Sequence, residues 1–350
     1  MVDEARLGEF VGKVATELAG ASSVALVRIG DKLGLYQAIA DAGPVNSVEL
    51  AQRTGTVERY VREWLVNQAA GGYLEYNPAT ERYSLPAENA VVLLDKTSPY
   101  YLAGAFQLVM GMQKAEEQIT QAFRNGGGIF WGDQHSDLIE GTRRFFGPSY
   151  HNFLTSNWIP ALEGMQAKLD AGAKVADLGC GLGTTTILIA KAFPASEIYG
   201  FDYDAGSIEL ARQAAKEAGI TRHISFDAVS STDYPNRQYD LIAMCDCLHD
   251  MANPVNVARY AFQCLKDDGA ILVVEPMAAE TTEDNFNPVG RIYSAASTLC
   301  CTPNALAGGG PALGTLATAK KLEEVFTEAG FSQFRMVTQT PFNRVFAVRK

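Results

Sequence analysis

The sequence predicts an α/β protein in two parts, a mostly helical leading domain followed by an open, mostly parallel sheet covered by helices. Three observations carry this expectation. From residue 173 onward short apolar runs alternate with helical ones, the pattern of a sheet whose strands are joined by crossover helices. At the head of that alternation stands KVADLGCGLG, residues 174–183, a short strand running into a glycine-rich turn. The first ninety residues instead read as helix, short helix, second helix and hairpin.

The chain has 350 residues, comfortable for two domains. The expected division is a first domain over 1–95, a helical linking segment over 96–172 that borders a substrate pocket, and a ligand-binding domain over 173–350. No run of eighteen apolar residues occurs and the N-terminus lacks a secretory pattern, so neither a membrane span nor export is expected. Six cysteines at irregular spacing make no disulfide framework. They fit free thiols in a reducing, cytoplasmic setting. A formal net charge of -11 argues against a general polyanion binder.

In the first domain, residues 8–42 have helical periodicity, broken by Gly43-Pro44. Ser47 is the expected cap of a short helix closed by Gly55, and Thr56 opens VERYVREWLVNQAAG. A hairpin follows around Asn77-Pro78. This is a winged helix-turn-helix pattern, whose obvious use is reading DNA. Charge points elsewhere. Residues 1–90 carry eight Lys/Arg against twelve Asp/Glu, and on the second helix Glu58 and Glu63 offset Arg59 and Arg62. Dimerisation or enclosure of a substrate is the expected role.

The segment from Pro99 to Phe123 reads as one helix ended by Gly126-Gly127-Gly128, with an apolar loop at Ile129-Phe130-Trp131. Its place just ahead of the glycine-rich strand makes His135, Tyr150, His151 and Trp158 candidates for a small-molecule pocket.

In the second half, acidic residues stand at four strand ends: Asp177, Asp202, Asp227 and Glu275. Ligands of open α/β sheets bind beyond these carboxyl ends. The spacing Gly179, Gly181, Gly183 is G-x-G-x-G, neither the dinucleotide fingerprint nor a P-loop. A carboxylate before the first glycine suits a ligand bearing an amine or sulfonium, with a turn cap as the plainer alternative. Asp202, about twenty residues beyond the glycines, is placed to accept from both hydroxyls of a ribose. Asp227 is placed to accept from an adenine amino group or to cap a turn. His249, in CDCLHDM, can take a proton near neutral pH, and Glu275 at the next strand end can orient it. Asn253, Asn256, Asn285, Asn287, Arg291, Tyr293 and Asn304 are candidate polar contacts to a substrate. Cys245 and Cys247 with Cys300-Cys301 do not match a known ligand spacing, so no metal is expected.

VADLGCGLG, Asp202 within GFDYD, CLHDM at 247–251, VVEP at 273–276 and NPVGRIYSAASTLCCTPNAL at 287–306 together resemble one family. It is that of class I S-adenosylmethionine-dependent methyltransferases with an N-terminal winged-helix dimerisation domain, in the bacterial two-domain small-molecule subgroup. The resemblance implies a Rossmann-like seven-stranded sheet of order 3-2-1-4-5-7-6, with strand 7 antiparallel. It implies S-adenosyl-L-methionine as cofactor, bound by Asp177, Gly179, Gly181, Gly183, Asp202, Tyr203, Asp227 and Cys245. It also implies a small-molecule methyl acceptor, most readily an oxygen nucleophile, with His249 as base, Glu275 as its orienting acid, and a homodimer through the first domain. In plant-type relatives a second orienting acid precedes the last helix; at 315–321 this sequence has none. The competing class is a ligand-sensing transcriptional regulator that keeps the fold without turnover.

Overall fold

The computed structural model describes all 350 residues and divides into two compact units, 1–111 with 136–148, and 112–135 with 149–350. The stretch 96–172 is therefore shared between them.

In the first unit the long helix Glu4–Leu33 stops at Gly34, whose φ of 69° is open to glycine at little cost. Helices Leu35–Ala42, Ser47–Thr54 and Glu58–Ala70 follow, then strands β1 (Glu75–Asn77) and β2 (Arg82–Ser84), paired antiparallel. The cap of the second of these helices is Asn46, not Ser47. Its side chain accepts from Glu49 N–H while the Glu49 carboxylate reaches back to Asn46 N–H. Val27, Tyr36, Ile39, Leu50, Trp64 and Leu65 form the core. Helices Ala103–Gln113 and Ser136–Ser149 come so close that a Cβ on Gly104, Gly111 or Gly141 would overlap the facing backbone. That approach ties 136–148 to this unit.

The expected single helix over 99–123 is two, Ala103–Gln113 and Glu116–Asn125. The expected absence of a spanning segment also needs a correction: by length and composition alone, Glu4–Leu33 is apolar enough to cross a membrane. Its most apolar eighteen residues have a mean hydropathy of 1.3, and only 11% of them are buried.

The second unit is built on β3 (Lys174–Leu178), β4 (Glu197–Asp202), β5 (Ile224–Ala228), β6 (Tyr239–Cys245), β7 (Leu265–Pro276), β8 (Gln333–Gln339) and β9 (Asn343–Arg349). Their order is β5-β4-β3-β6-β7-β9-β8, with β9 antiparallel to both neighbours and the other pairs of β3–β7 parallel. This is the expected 3-2-1-4-5-7-6 arrangement. All seven residues of β6 are buried, which is why the central strand reads as an apolar run broken only by Asp240, whose carboxylate is paired with Lys266. Leu178, Met244, Val273 and Phe346 share a core cluster with Val257 and Ala261 of helix Pro254–Cys264 and with Leu322 and Phe326 of helix Ala319–Glu328. Cys180, Phe226, Ile187 of helix Thr184–Ala192 and Ile208 of helix Ala205–Glu217 form another. The strands are thereby fixed in register, and β3, β4, β5 and β7 bring their acidic ends, Asp177, Asp202, Asp227 and Glu275, to one edge.

Candidate active site

The turn after β3 takes its shape from three glycines with φ of 64°, 50° and 77° at 179, 181 and 183. A side chain on Gly179 would meet Cys247 at 2.8 Å and one on Gly183 would meet Ala211 at 2.9 Å, whereas Gly181 faces open space. Asp177 lies wholly buried beneath the turn. Its Oδ2 accepts from the hydroxyls of Thr185 and Thr186 at 2.6 Å each, while its Oδ1 is buried without a partner. Burial pushes its pKa up to about 6, against the pull of the two threonines. The carboxylate thus both pins the first turn of the helix and keeps one acceptor unused.

Asp202 closes β4. Its Oδ2 accepts from Gly181 N–H and its Oδ1 from Asp204 N–H, both at 2.9 Å. Burial raises its pKa although these amides oppose the shift. Asp227 is half-buried on β5, paired in register with Phe201 on β4. Cys245 ends β6 as a buried thiol, its pKa driven well up by burial and by the charges of Asp177, Asp246 and Glu275, so it stays neutral. Tyr203 directly follows β4; its hydroxyl donates to Asn304 Oδ1 at 2.8 Å and accepts from Trp131 N–H at 3.0 Å.

His249 sits on a short 3-10 turn, Leu248–Asp250, just past β6, and Glu275 stands near the end of β7. Both side chains are almost fully buried, and His249 Nδ1–H donates to Glu275 Oε2 at 2.8 Å. That bond leaves Nε2 as the reactive nitrogen. Burial opposes charge on the imidazole, but the Glu275 carboxylate and the Cys301 thiol more than offset it, so the pKa lies well above the usual histidine range. Two more carboxyls surround the pair. Asp250 and Asp246 are each pushed up to about 7, mainly by desolvation; the charge of Glu275 adds to this while that of His249 opposes it. The arrangement can orient the ring through Glu275, take a proton from an acceptor hydroxyl at the unprotonated Nε2, and hold the resulting imidazolium against the Glu275 carboxylate.

Comparison with known proteins agrees with this geometry. Residues 169–330 match the family model of a methyltransferase domain, and residues 21–94 that of an Rv2258c-like winged helix-turn-helix domain. The fold is that of the mitomycin 7-O-methyltransferase MmcR, with a TM-score of 0.71 and 18% identity over 99% of this chain and 100% of that one. Human N-acetylserotonin methyltransferase, solved in complex with S-adenosylmethionine, gives 0.68 and 18% over 100% and 98%. The chain has a class I methyltransferase fold, with a winged-helix domain ahead of it. In sequence it is 26% identical over 170 residues to 27-O-demethylrifamycin SV methyltransferase of Amycolatopsis mediterranei, covering 46% of this chain and 57% of that one. The chain spans about half the length of the curated relatives it matches.

The fold implies S-adenosylmethionine as cofactor, and the residues present fit it. Asp177 Oδ1 is an orphaned acceptor for a ligand amine, the space over Gly181 would be filled by any side chain there, and Asp202 keeps acceptor capacity beyond its two amides.

Several other candidates make structural contacts. Asn253 and Asn287 cap helices, Asn285 accepts from Ala279 N–H, and Tyr293 is buried and donates to the Phe342 carbonyl. Asn304 is a bracket, accepting from Trp131 N–H and Tyr203 and donating to the Asp250 carbonyl. His135 lies at the surface against Lys114, and His151 is exposed. Trp158 is fully buried, stacked on Phe153 and edge-on to Tyr150. Near 315–321, where an orienting acid was sought, Thr315 donates to the Tyr293 carbonyl. Asp246 is the residue that sequence reasoning missed. It has a φ of 51°, accepts from Tyr150 at 2.7 Å and from Asn343 at 2.8 Å, and feels the charges of both His249 and Glu275. Arg344, opposite Glu275 in register on β9, is the second, a buried guanidinium held by the Pro276 and Ala317 carbonyls. An acid between two cysteines in CDC was the available signal for the first; nothing local marks the second.

Proposed function

We propose that the chain transfers a methyl group from S-adenosylmethionine to an oxygen nucleophile of a small molecule. The observation that carries this reading is the buried His249–Glu275 pair at 2.8 Å, next to the glycine turn. The cofactor supplies an electrophilic methyl on sulfur. The glycine turn and Asp202 hold its nucleoside end, and Asp177 takes the amine. His249 accepts the acceptor's proton at Nε2 as oxygen attacks, and Glu275 orients the ring and stabilises the imidazolium. Exclusion of water and alignment within reach supply the rest of the rate. The names of relatives such as MmcR and the rifamycin enzyme support an oxygen acceptor. The test is methyl incorporation from labelled cofactor across panels of phenols, alcohols, amines and thiols. Turnover of hydroxyl compounds is expected, and exclusive turnover of amines or thiols would reject the base assignment.

The same proposal includes a homodimer through the first domain. Leu7, Phe10, Val11, Val14 and Leu18 of helix Glu4–Leu33 are exposed, a long apolar row for a surface helix. DNA binding has less support, because Arg59 pairs with Glu63 and Arg62 with Glu58 on the helix that would read it. Sedimentation of the full chain is expected to show a dimer at micromolar concentration; a monomer there would reject it. A cytoplasmic location belongs to the same reading, since six buried free thiols suit a reducing compartment.

A further inference from the structure

We propose that His249, Asp250 and Cys301 form a site for a soft divalent cation of the zinc class. One ring nitrogen, one carboxylate oxygen and one sulfur from these residues all lie within 4.8 Å of one another. Zinc bonds of about 2.0–2.3 Å in a tetrahedron place ligand atoms ~3.3–3.8 Å apart, so small rotamer changes close the set. Imidazole, thiolate and carboxylate together select zinc, cadmium or cobalt over magnesium or calcium.

Three further features resemble a built metal site. His249 gives its Nδ1–H to Glu275, the outer carboxylate that fixes ring and tautomer in most histidine-metal sites. The backbone is braced on both sides: Gly314 N–H donates to the His249 carbonyl and Asn304 to the Asp250 carbonyl, each at 3.1 Å. Cys301 ends a π-helical turn, Ser297–Cys301, a departure from regular helix that often accompanies function. Charge points the same way. Glu275 Oε1 is buried without a partner, and Asp246 adds another carboxyl beside the pair. Asp250 is partly exposed, which leaves an approach for the ion.

Binding replaces the Cys301 S–H by a metal–sulfur bond and takes neutral imidazole and the Asp250 carboxylate; the thiol proton and any proton on the imidazole or on the Asp250 carboxyl leave to solvent. No electron transfer is involved. An ion held there occupies Nε2, the nitrogen that the proposed methyl transfer uses, so it would act as a reversible off-switch. The binding itself rests on the geometry and not on that functional reading.

The experiment uses the full chain, stripped with chelator and dialysed, then titrated with cobalt(II) as a spectroscopic stand-in for zinc. One equivalent is expected to bind with a near-ultraviolet thiolate-to-cobalt charge-transfer band, which added zinc abolishes. Cys301→Ser should remove the band, Cys300→Ser should keep it, and Asp250→Asn should weaken binding at least tenfold. No band in the parent protein, or a band that survives Cys301→Ser, overturns the proposal. If circular dichroism shows Cys301→Ser unfolded, His249→Gln decides: a tenfold or greater loss of cobalt affinity supports the site, and unchanged affinity overturns it.

Discussion

The two halves of the sheet's carboxyl edge bury carboxylates in different ways. At the β3–β4 end, the partners of Asp177 Oδ2 and of Asp202 come from nearby in sequence: hydroxyls eight and nine residues on, and amides two and twenty-one residues away. At the β6–β7 end, Asp246 depends on Tyr150 and Asn343, about a hundred residues off on either side, and His249 depends on Glu275 and Cys301. The first half is a local binding motif. The second is a charge cluster that exists only once the sheet has formed, and there the proton chemistry is placed.

This contrast predicts that damage in one half leaves the other intact. The largest effect is expected from His249→Ala, a loss of ~10² to 10⁴ in turnover, the usual worth of general acid–base catalysis. Cofactor affinity, measured calorimetrically, should stay within about threefold. Equal losses in both would merge the two halves. The reverse pattern is expected for Asp202→Ala. Hydrogen bonds to a charged acceptor are worth ~1.5–3 kcal/mol, so cofactor affinity should fall about ten- to a hundredfold. Turnover at saturating cofactor should change much less, and a kcat defect alone would count against Asp202 as the ribose acceptor.

The same contrast explains what could be read from residues alone. Strand positions and the cofactor turn were legible because their signals are local: apolar runs, glycines that must take positive φ, and acids at strand ends. Strand order came with the family resemblance. His249 and Glu275 were legible because one follows the end of β6 and the other stands at the end of β7. Asp246 and Arg344 were not, because the partners that give them meaning arrive from β9 and from the turn around Tyr150. The break between Gln113 and Glu116 was missed because both helices are apolar on the side that packs and no proline or glycine marks the gap. Tyr203 is expected at the cofactor from the family resemblance, and its hydroxyl donates to Asn304.

A smaller effect concerns the pH profile. The Glu275 charge helps hold the His249 pKa well above the usual histidine value near 6.5. A base works when unprotonated, so the rate should rise with pH through an apparent pKa above that value, higher than a lone histidine would give. Glu275→Gln removes the charge that favours imidazolium, so the rising limb should move to lower pH while its plateau drops through lost orientation. A limb that stays in place would show that Glu275 is not what sets the proton affinity of His249.

The smallest effect expected is on stability, at Asp246. Its pKa is raised from the carboxylate range near 4 to about 7, chiefly by desolvation. Between these values the folded protein binds a proton that the unfolded chain has released. Stability from this group is therefore greatest at or below pH 4 and is lost as pH rises towards 7. Asp177 and Asp250, raised to about 6 and about 7, act in the same direction. Asp246→Asn takes one of the three out of the linkage, since an amide does not titrate. It still accepts from Tyr150 but gives Asn343 a poorer partner, so the variant should be less stable than the parent at acid pH. The parent then weakens with rising pH more steeply than the variant, so the gap in Tm between them should narrow from pH 4 to pH 8. At ~2–4 °C per kcal/mol for a domain of this size, a change in the gap of a few degrees is expected. A gap independent of pH would mean that Asp246 does not hold its proton in the folded state, and that it adds its own charge to that of Glu275 at the β6–β7 end.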